Sequence, residues 1–169
     1  MDRIDTLNLT ECFWWDRERA TNHNIRTLIG DACSLTMPDR SYDIAFSNSV
    51  IEHVGSWERQ QQFASEIRRV GGALWVQTPA YEYPIEPHYM APFIHWLPRK
   101  VQKRIARWCT LWGWIEQPGF EKIEAMVDTT RLLTRSEMRR LFYDCEIRVE
   151  RLLWVFPKSY IAVRLKPEP

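Results

Sequence analysis

Ile25-Arg-Thr-Leu-Ile-Gly-Asp-Ala32, Leu35-Thr-Met-Pro-Asp-Arg-Ser-Tyr-Asp43 and Phe46-Ser-Asn-Ser-Val-Ile-Glu-His-Val54 decide the fold. Two short apolar runs, Ile25–Ile29 and Tyr42–Phe46, each stop at small or polar residues: Gly30-Asp31 in one case, Ser47-Asn48-Ser49 in the other. Between them, Pro38-Asp39-Arg40-Ser41 is turn chemistry. Runs of this length bounded by turn residues read as strands. Upstream, Ile4–Leu9 alternates as a strand, and Thr10 can cap a helix through Phe13, Trp14, Arg17 and Ala20. Downstream, Ser56 precedes a helix whose apolar positions Phe63, Ile67 and Val70 recur at i, i+4 and i+7; Gly71-Gly72 ends it, and Ala73–Thr78 is a fourth strand running into Pro79. Short strands alternating with helices predict an α/β fold: a Rossmann-like, mostly parallel sheet flanked by helices.

Beyond residue 80 the pattern changes. Residues 80–98 are rich in aromatics and proline, and Arg99–Trp108 reads as an amphipathic helix, with Val101, Ile105, Trp108 and Trp112 on one side and Lys100, Lys103, Arg104 and Arg107 on the other. Residues 81–115 are therefore expected to be an inserted aromatic and basic cap, aromatics inward and those four cations outward. Thr134-x-x-Glu137 is a capping box opening a helix through Met138, Leu141 and Phe142. Glu146–Phe156 and Ser159–Leu165 are β-rich runs joined at Pro157-Lys158, which predicts a terminal antiparallel hairpin at the sheet edge.

At 169 residues the chain is expected to be one domain, 1–169. Hydrophobic content of 45% and charged content of 27% exclude disorder and coiled coil. The net charge of +1 conceals a split: residues 1–98 carry eight basic and thirteen acidic side chains, residues 99–169 fifteen and nine. Total charge thus gives no footprint for nucleic acid, and none is expected as a partner. The four cysteines form no CxxC pair, so a reduced cytoplasmic setting is expected and no residues are assigned to a metal. The amino terminus has no apolar leader and no stretch is long enough to span a bilayer.

In an open parallel sheet, ligands bind beyond the carboxyl ends of the strands. Those ends here are Asn8, Asp31-Ala32 and Ser47-Asn48-Ser49. A carboxylate there can accept from an exocyclic amine while a small neighbour leaves room for a flat ring; equally, Asp31 can simply cap the turn after its strand. Taken with Glu66-Ile-Arg-Arg-Val-Gly-Gly72, these segments resemble successive motifs of the class I S-adenosylmethionine-dependent methyltransferases of small-molecule type, over residues 4 to 80.

The resemblance implies S-adenosyl-L-methionine as cofactor, with Asp31 on the adenine amino group, Ala32 and Cys33 flanking the ring, and Ser47, Asn48 and Ser49 on the methionine side. Asn8 stands where the family usually has an acid for the ribose hydroxyls. The family's first strand and Gly-rich loop normally precede the stretch beginning at residue 4; neither is in this sequence, so weakened or lost cofactor binding is expected. His53 and His88 are candidate acid–base residues, and Tyr81, Tyr83, Glu86, His88 and His95 candidate contacts for a small-molecule or lipid-like acceptor. For His53 the alternative is a structural role in a helical turn; for 81–88 it is a proline-stiffened loop. Three functions compete: a methyltransferase, an inactive relic serving as a binding or oligomerising module, and a membrane-surface adaptor using the Trp-rich basic segment 99–114. The missing strand also predicts a repair, either direct pairing of the strands ending at Asn8 and Ser47 or a homodimer filling the gap.

Overall fold

The computed structural model describes residues 3–9 and 24–165; the helix expected from Thr10 lies outside them. β1 (Ile4–Asn8) pairs in parallel with β2 (Ile25–Ile29), in register from Ile4↔Ile25 to Asn8↔Ile29. A second sheet has the order β3-β4-β8-β7: β3 (Tyr42–Asn48) runs parallel to β4 (Gly71–Pro79), β8 (Phe156–Arg164) is antiparallel to β4, and β7 (Glu146–Leu152) forms its outer edge. The predicted mixed α/β architecture and terminal hairpin are therefore present. Among the described residues β1 does not pair with β3, so the expected direct closure is not found. Between them runs a groove of about 500 Å³, crossed by a hydrogen bond that the Tyr42 hydroxyl donates to Asp5 at 2.8 Å.

α1 (Trp57–Val70) begins where the Ser56 hydroxyl accepts from the Arg59 amide at 3.3 Å, and it buries Phe63, Ala64, Ile67 and Val70 against the second sheet. Its charged motif residues staple the loop between β2 and β3. Glu66 accepts from the Leu35 amide at 2.7 Å, and the Arg69 guanidinium donates to the carbonyls of Met37 and Leu35 at 2.7 and 3.0 Å. Gly71 and Gly72 do more than end the helix. They start β4, and a Cβ at Gly71 would lie 2.7 Å from that of Ala45.

The cap carries more helix than the sequence reading assigned. After short β5 (Ile85–Glu86) and β6 (Ala91–Pro92) come α2 (Arg99–Cys109), α3 (Leu111–Glu116) and α4 (Phe120–Thr129), then α5 (Arg135–Leu141) with its predicted capping box. The cap has its own core, in which Tyr89, Ile94, Ala106, Trp112, Ile123 and Val127 are buried. Two expectations are corrected here. The inner face of α2 is Gln102 and Ala106, while Val101 and Trp108 face outward along with Phe93, Trp96 and Trp114; Lys103 is half-buried, paired at 2.8 Å with both Glu124 and Asp128 of α4. Close approach of α2 to α3 leaves no room for large side chains at the crossing, so the small residue wins the inner position. The hairpin turn is at 153–155 rather than at Pro157-Lys158. Leu153 and Trp154 take φ of 50° and 65°, and Pro157 sits in β8 beside the register shift at Glu150/Arg151, where a missing N–H is tolerated.

Gly113 marks that helix crossing: a Cβ there would meet the backbone carbonyls of Ala106 and Arg107 at 2.3 and 2.4 Å. Gly113→Ala should destabilise the chain by about 1–3 kcal/mol despite alanine's better helix propensity. Gly119→Ala, with nothing within 4 Å, meets no clash and should cost less in the same urea titration, about 0.5–1 kcal/mol for the poorer N-cap of α4.

Candidate active site

Ser49, at the end of β3, adopts φ 53° and donates its amide to the Gln77 carbonyl of β4 at 3.0 Å. The chain then makes one 3₁₀ turn, Ile51–His53, in which Ile51 and Glu52 are fully buried and His53 is exposed. Buried Gln60 of α1 fixes this turn: its amide nitrogen donates to the carbonyls of Ile51 (3.1 Å) and Arg131 (2.8 Å), and its oxygen accepts from the Arg131 guanidinium at 2.7 Å. The Arg131 amide in turn donates to the Glu52 carbonyl at 2.7 Å. One carboxylate oxygen of Glu52 accepts from the Thr78 hydroxyl at 2.9 Å, while the other is buried without a partner. Burial pushes the Glu52 carboxyl above its ordinary range, against the opposing pull of the Thr78 hydrogen bond and His88.

Beyond β4 the cap brings a second set of groups to the same place. Glu86, buried, accepts from the Tyr89 amide at 2.7 Å and holds the His88 Nδ1 at 2.6 Å. The His88 Nε2 lies 2.9 Å from the His53 Nε2, with the rings edge to face at 4.6 Å. Because a carboxylate only accepts, His88 carries its proton on Nδ1. Burial works against a charged His88, but the hydrogen bond and charge of Glu86 outweigh it and raise its pKa; burial and the neighbouring His88 lower that of His53.

Of the acceptor-side residues, Tyr81, Glu86 and His95 line a cavity of about 460 Å³ together with Tyr89, Arg131 and Glu137. His95 bonds the Tyr81 carbonyl through Nε2 at 2.9 Å, and its Nδ1 is buried without a partner. Tyr83 instead packs on the main core. On the other side, Ala32, Ser47 and Asn48 line the groove between β1 and β3, and the buried Ser47 hydroxyl has no partner there. Asp31 accepts from the Cys33 amide at 2.9 Å and from the Arg59 guanidinium at 3.0 and 2.8 Å, contacts that hold its carboxyl below the ordinary range. The Cys33 thiol is buried and donates to the Arg59 carbonyl at 3.3 Å. Asn8 is half-buried at the end of β1, and its carbonyl accepts from the Gly30 amide. Sequence reasoning passed over Gln60, Thr78, Arg59 and Arg131. Gln60 left a signal, as a polar residue on the same face as Phe63 and Ile67.

Residues 8–76 match the family model described as a methyltransferase domain. Over that stretch, less than half of the chain, the sequence is similar to that family. Two uncharacterised Mycobacterium tuberculosis proteins, one from each of two strains, are 24% identical to this chain over 148 residues, covering 76% of it and 50% of themselves. The chain thus spans about half the length of these curated relatives. The fold is shared with a Methanosarcina mazei structure described as a SAM-dependent methyltransferase (TM-score 0.50, 17% identity, 96% of this chain and 82% of that one). It is also shared with a Pyrococcus horikoshii protein (TM-score 0.52, 14% identity, 95% and 70%).

Gln60→Leu removes three hydrogen bonds and strands the buried Ile51 carbonyl and the part-buried Arg131 carbonyl. A loss of about 1–3 kcal/mol per unsatisfied group is expected. Urea unfolding checks it, and a stability within 0.5 kcal/mol of the parent would show that the turn does not depend on this amide.

Proposed function

We propose that this chain methylates an oxygen or nitrogen nucleophile of a small-molecule or lipid-like acceptor, and that the His53–His88 pair takes the acceptor's proton. The observation that carries this reading is the 2.9 Å contact between two imidazole nitrogens, backed by buried Glu86, beyond the ends of β3 and β4 and beside a cavity. The cofactor side fits an adenosyl-bearing ligand in its donor set: Asp31 at a strand end, small Ala32 beside it, and a buried Ser47 hydroxyl in want of a partner. Held by Asp31, Ala32 and Ser47, S-adenosylmethionine would supply an electrophilic sulfonium methyl for the acceptor's lone pair and would leave as the neutral thioether.

The protein's own share is then position and proton transfer. Glu86 orients the His88 ring through Nδ1, so its Nε2 faces His53 with a lone pair when the ring is neutral. A proton taken by the pair is stabilised by the Glu86 carboxylate. Tyr81, His95 and Arg131 give the cavity polar edges for the acceptor. The exposed Phe93, Trp96, Trp108 and Trp114, with Lys100 and Arg104 nearby on α2, support the lipid-like end of that class and a peripheral contact with anionic lipid. No described helix is long and apolar enough to cross a membrane.

Calorimetry with S-adenosylhomocysteine should show saturable binding, and Asp31→Ala should weaken it by about 1–3 kcal/mol. With a responsive acceptor, His88→Gln should lower turnover by roughly 10²–10⁴ while leaving cofactor affinity unchanged. No binding at millimolar ligand, or full turnover in His88→Gln, would overturn the reading.

A further inference from the structure

We propose that Glu52, His53 and His88 form a binding site for a divalent transition metal of the zinc class. The three side chains come from two separate segments, the 3₁₀ turn after β3 and the loop after β5. Each offers one ligand atom, and those atoms lie within 4.8 Å of one another. Two imidazoles and one carboxylate are the donor set that zinc, cobalt, manganese and ferrous iron accept, whereas magnesium prefers oxygen ligands throughout.

Three further observations point inward to a ligand. Glu52 is fully buried and one of its oxygens has no partner at all, a cost that a cation beside it removes. His88 is held through Nδ1 by Glu86 at 2.6 Å, and Glu86 is itself fixed by the Tyr89 amide. That carboxylate–imidazole pairing is how metal-binding histidines are oriented, with the other ring nitrogen left to ligate. Finally, the His53 and His88 Nε2 atoms converge to 2.9 Å. On a tetrahedral metal at about 2.0–2.1 Å from each nitrogen they would stand roughly 3.4 Å apart, so ligation requires them to part by about half an ångström.

His53 is exposed, which gives the metal an entry path and keeps its remaining coordination positions facing solvent and the acceptor side. Three protein ligands with an open position is the arrangement of catalytic rather than structural zinc. Any role toward the acceptor rests on the methyl-transfer reading. An acceptor hydroxyl taken at the open position would be acidified, its proton passing to water in place of the histidine pair. The binding itself does not rest on that reading.

The test uses the tag-free full chain, stripped with chelator and titrated with Co²⁺ followed by its d–d absorption, then with Zn²⁺ in competition. One equivalent should bind with the intensity of a low-coordinate site, and Zn²⁺ should displace it. His53→Ala, at an exposed position that leaves the core intact, should weaken binding at least tenfold. Glu86→Gln, which touches no metal, should weaken it by about 10–100-fold. Circular dichroism confirms that each variant is folded. Should Glu52→Gln fail to fold, His53→Ala and Glu86→Gln decide the matter. Failure to saturate, or an affinity unchanged in both variants, would overturn the proposal. A cobalt site that persists in a chain without affinity for S-adenosylhomocysteine would sink the functional reading and leave the metal site standing.

Discussion

The buried amide of Gln60 is the constraint on which the site depends. It sits on α1, yet its partners belong to the turn after β3 and to the strand-like approach to α5, 71 residues away. A buried amide has two donor hydrogens and an accepting oxygen, and all are engaged. Leaving any of them idle costs more than the bond is worth in water, so these three segments move together or not at all. The Glu52–His53 turn therefore has one position relative to α1, and Thr78 on β4 reads that position through its hydroxyl. The cap is added to this frame from outside, with its own core and with Glu86 buried at the joint.

Local chemistry made the elements legible wherever it was decisive. Ser56 and the Thr134–Glu137 box start helices at the expected residues because a side-chain oxygen satisfies amides that nothing else reaches. The end of β2 before Gly30-Asp31 was equally visible, whereas β3 runs on through Ser47 and Asn48, paired with Val76 and Gln77, before it turns at Ser49. The α2 face was not visible. Val101 and Trp108 are the hydrophobic choice, but α3 approaches so closely that only Gly113 fits opposite Ala106, and sequence periodicity carries no information about the distance between two helices. The hairpin turn escaped for a related reason. Pro157 signals a turn, yet the strain is borne by Leu153 and Trp154, residues with no turn preference.

The site divides along the same line. His53 and His88 each attracted notice by type and by position after a strand, but their contact spans 35 residues and depends on how the cap folds back. Gln60 and Thr78 look like ordinary polar positions until their burial is known. What sequence supplies is the set of groups at the carboxyl edge of the sheet; what it withholds is which of them share a proton or a ligand.

Asp31 shows how a residue with a plain structural role can still serve a ligand. Its two oxygens present about four lone-pair directions. Oδ1 uses both of its own, on the Cys33 amide and the Arg59 guanidinium, whereas Oδ2 uses one, on Arg59. One direction on Oδ2 therefore stays open, and an amine can be accepted there without breaking the ion pair. The Cys33 amide and then Arg59 hold the carboxyl below its ordinary range, and Arg59 fixes its plane, so turn-capping and recognition of an exocyclic amine are compatible at this position. The groove beside it is less prepared: Ser47 waits without a partner, and among the described residues the Tyr42 hydroxyl reaches across to Asp5. The Glu86–His88–His53 contacts and the Asp31 corner, by contrast, are each already held by hydrogen bonds among the described residues. A ligand group that met the Ser47 hydroxyl would satisfy a buried polar atom that the described residues leave without a partner.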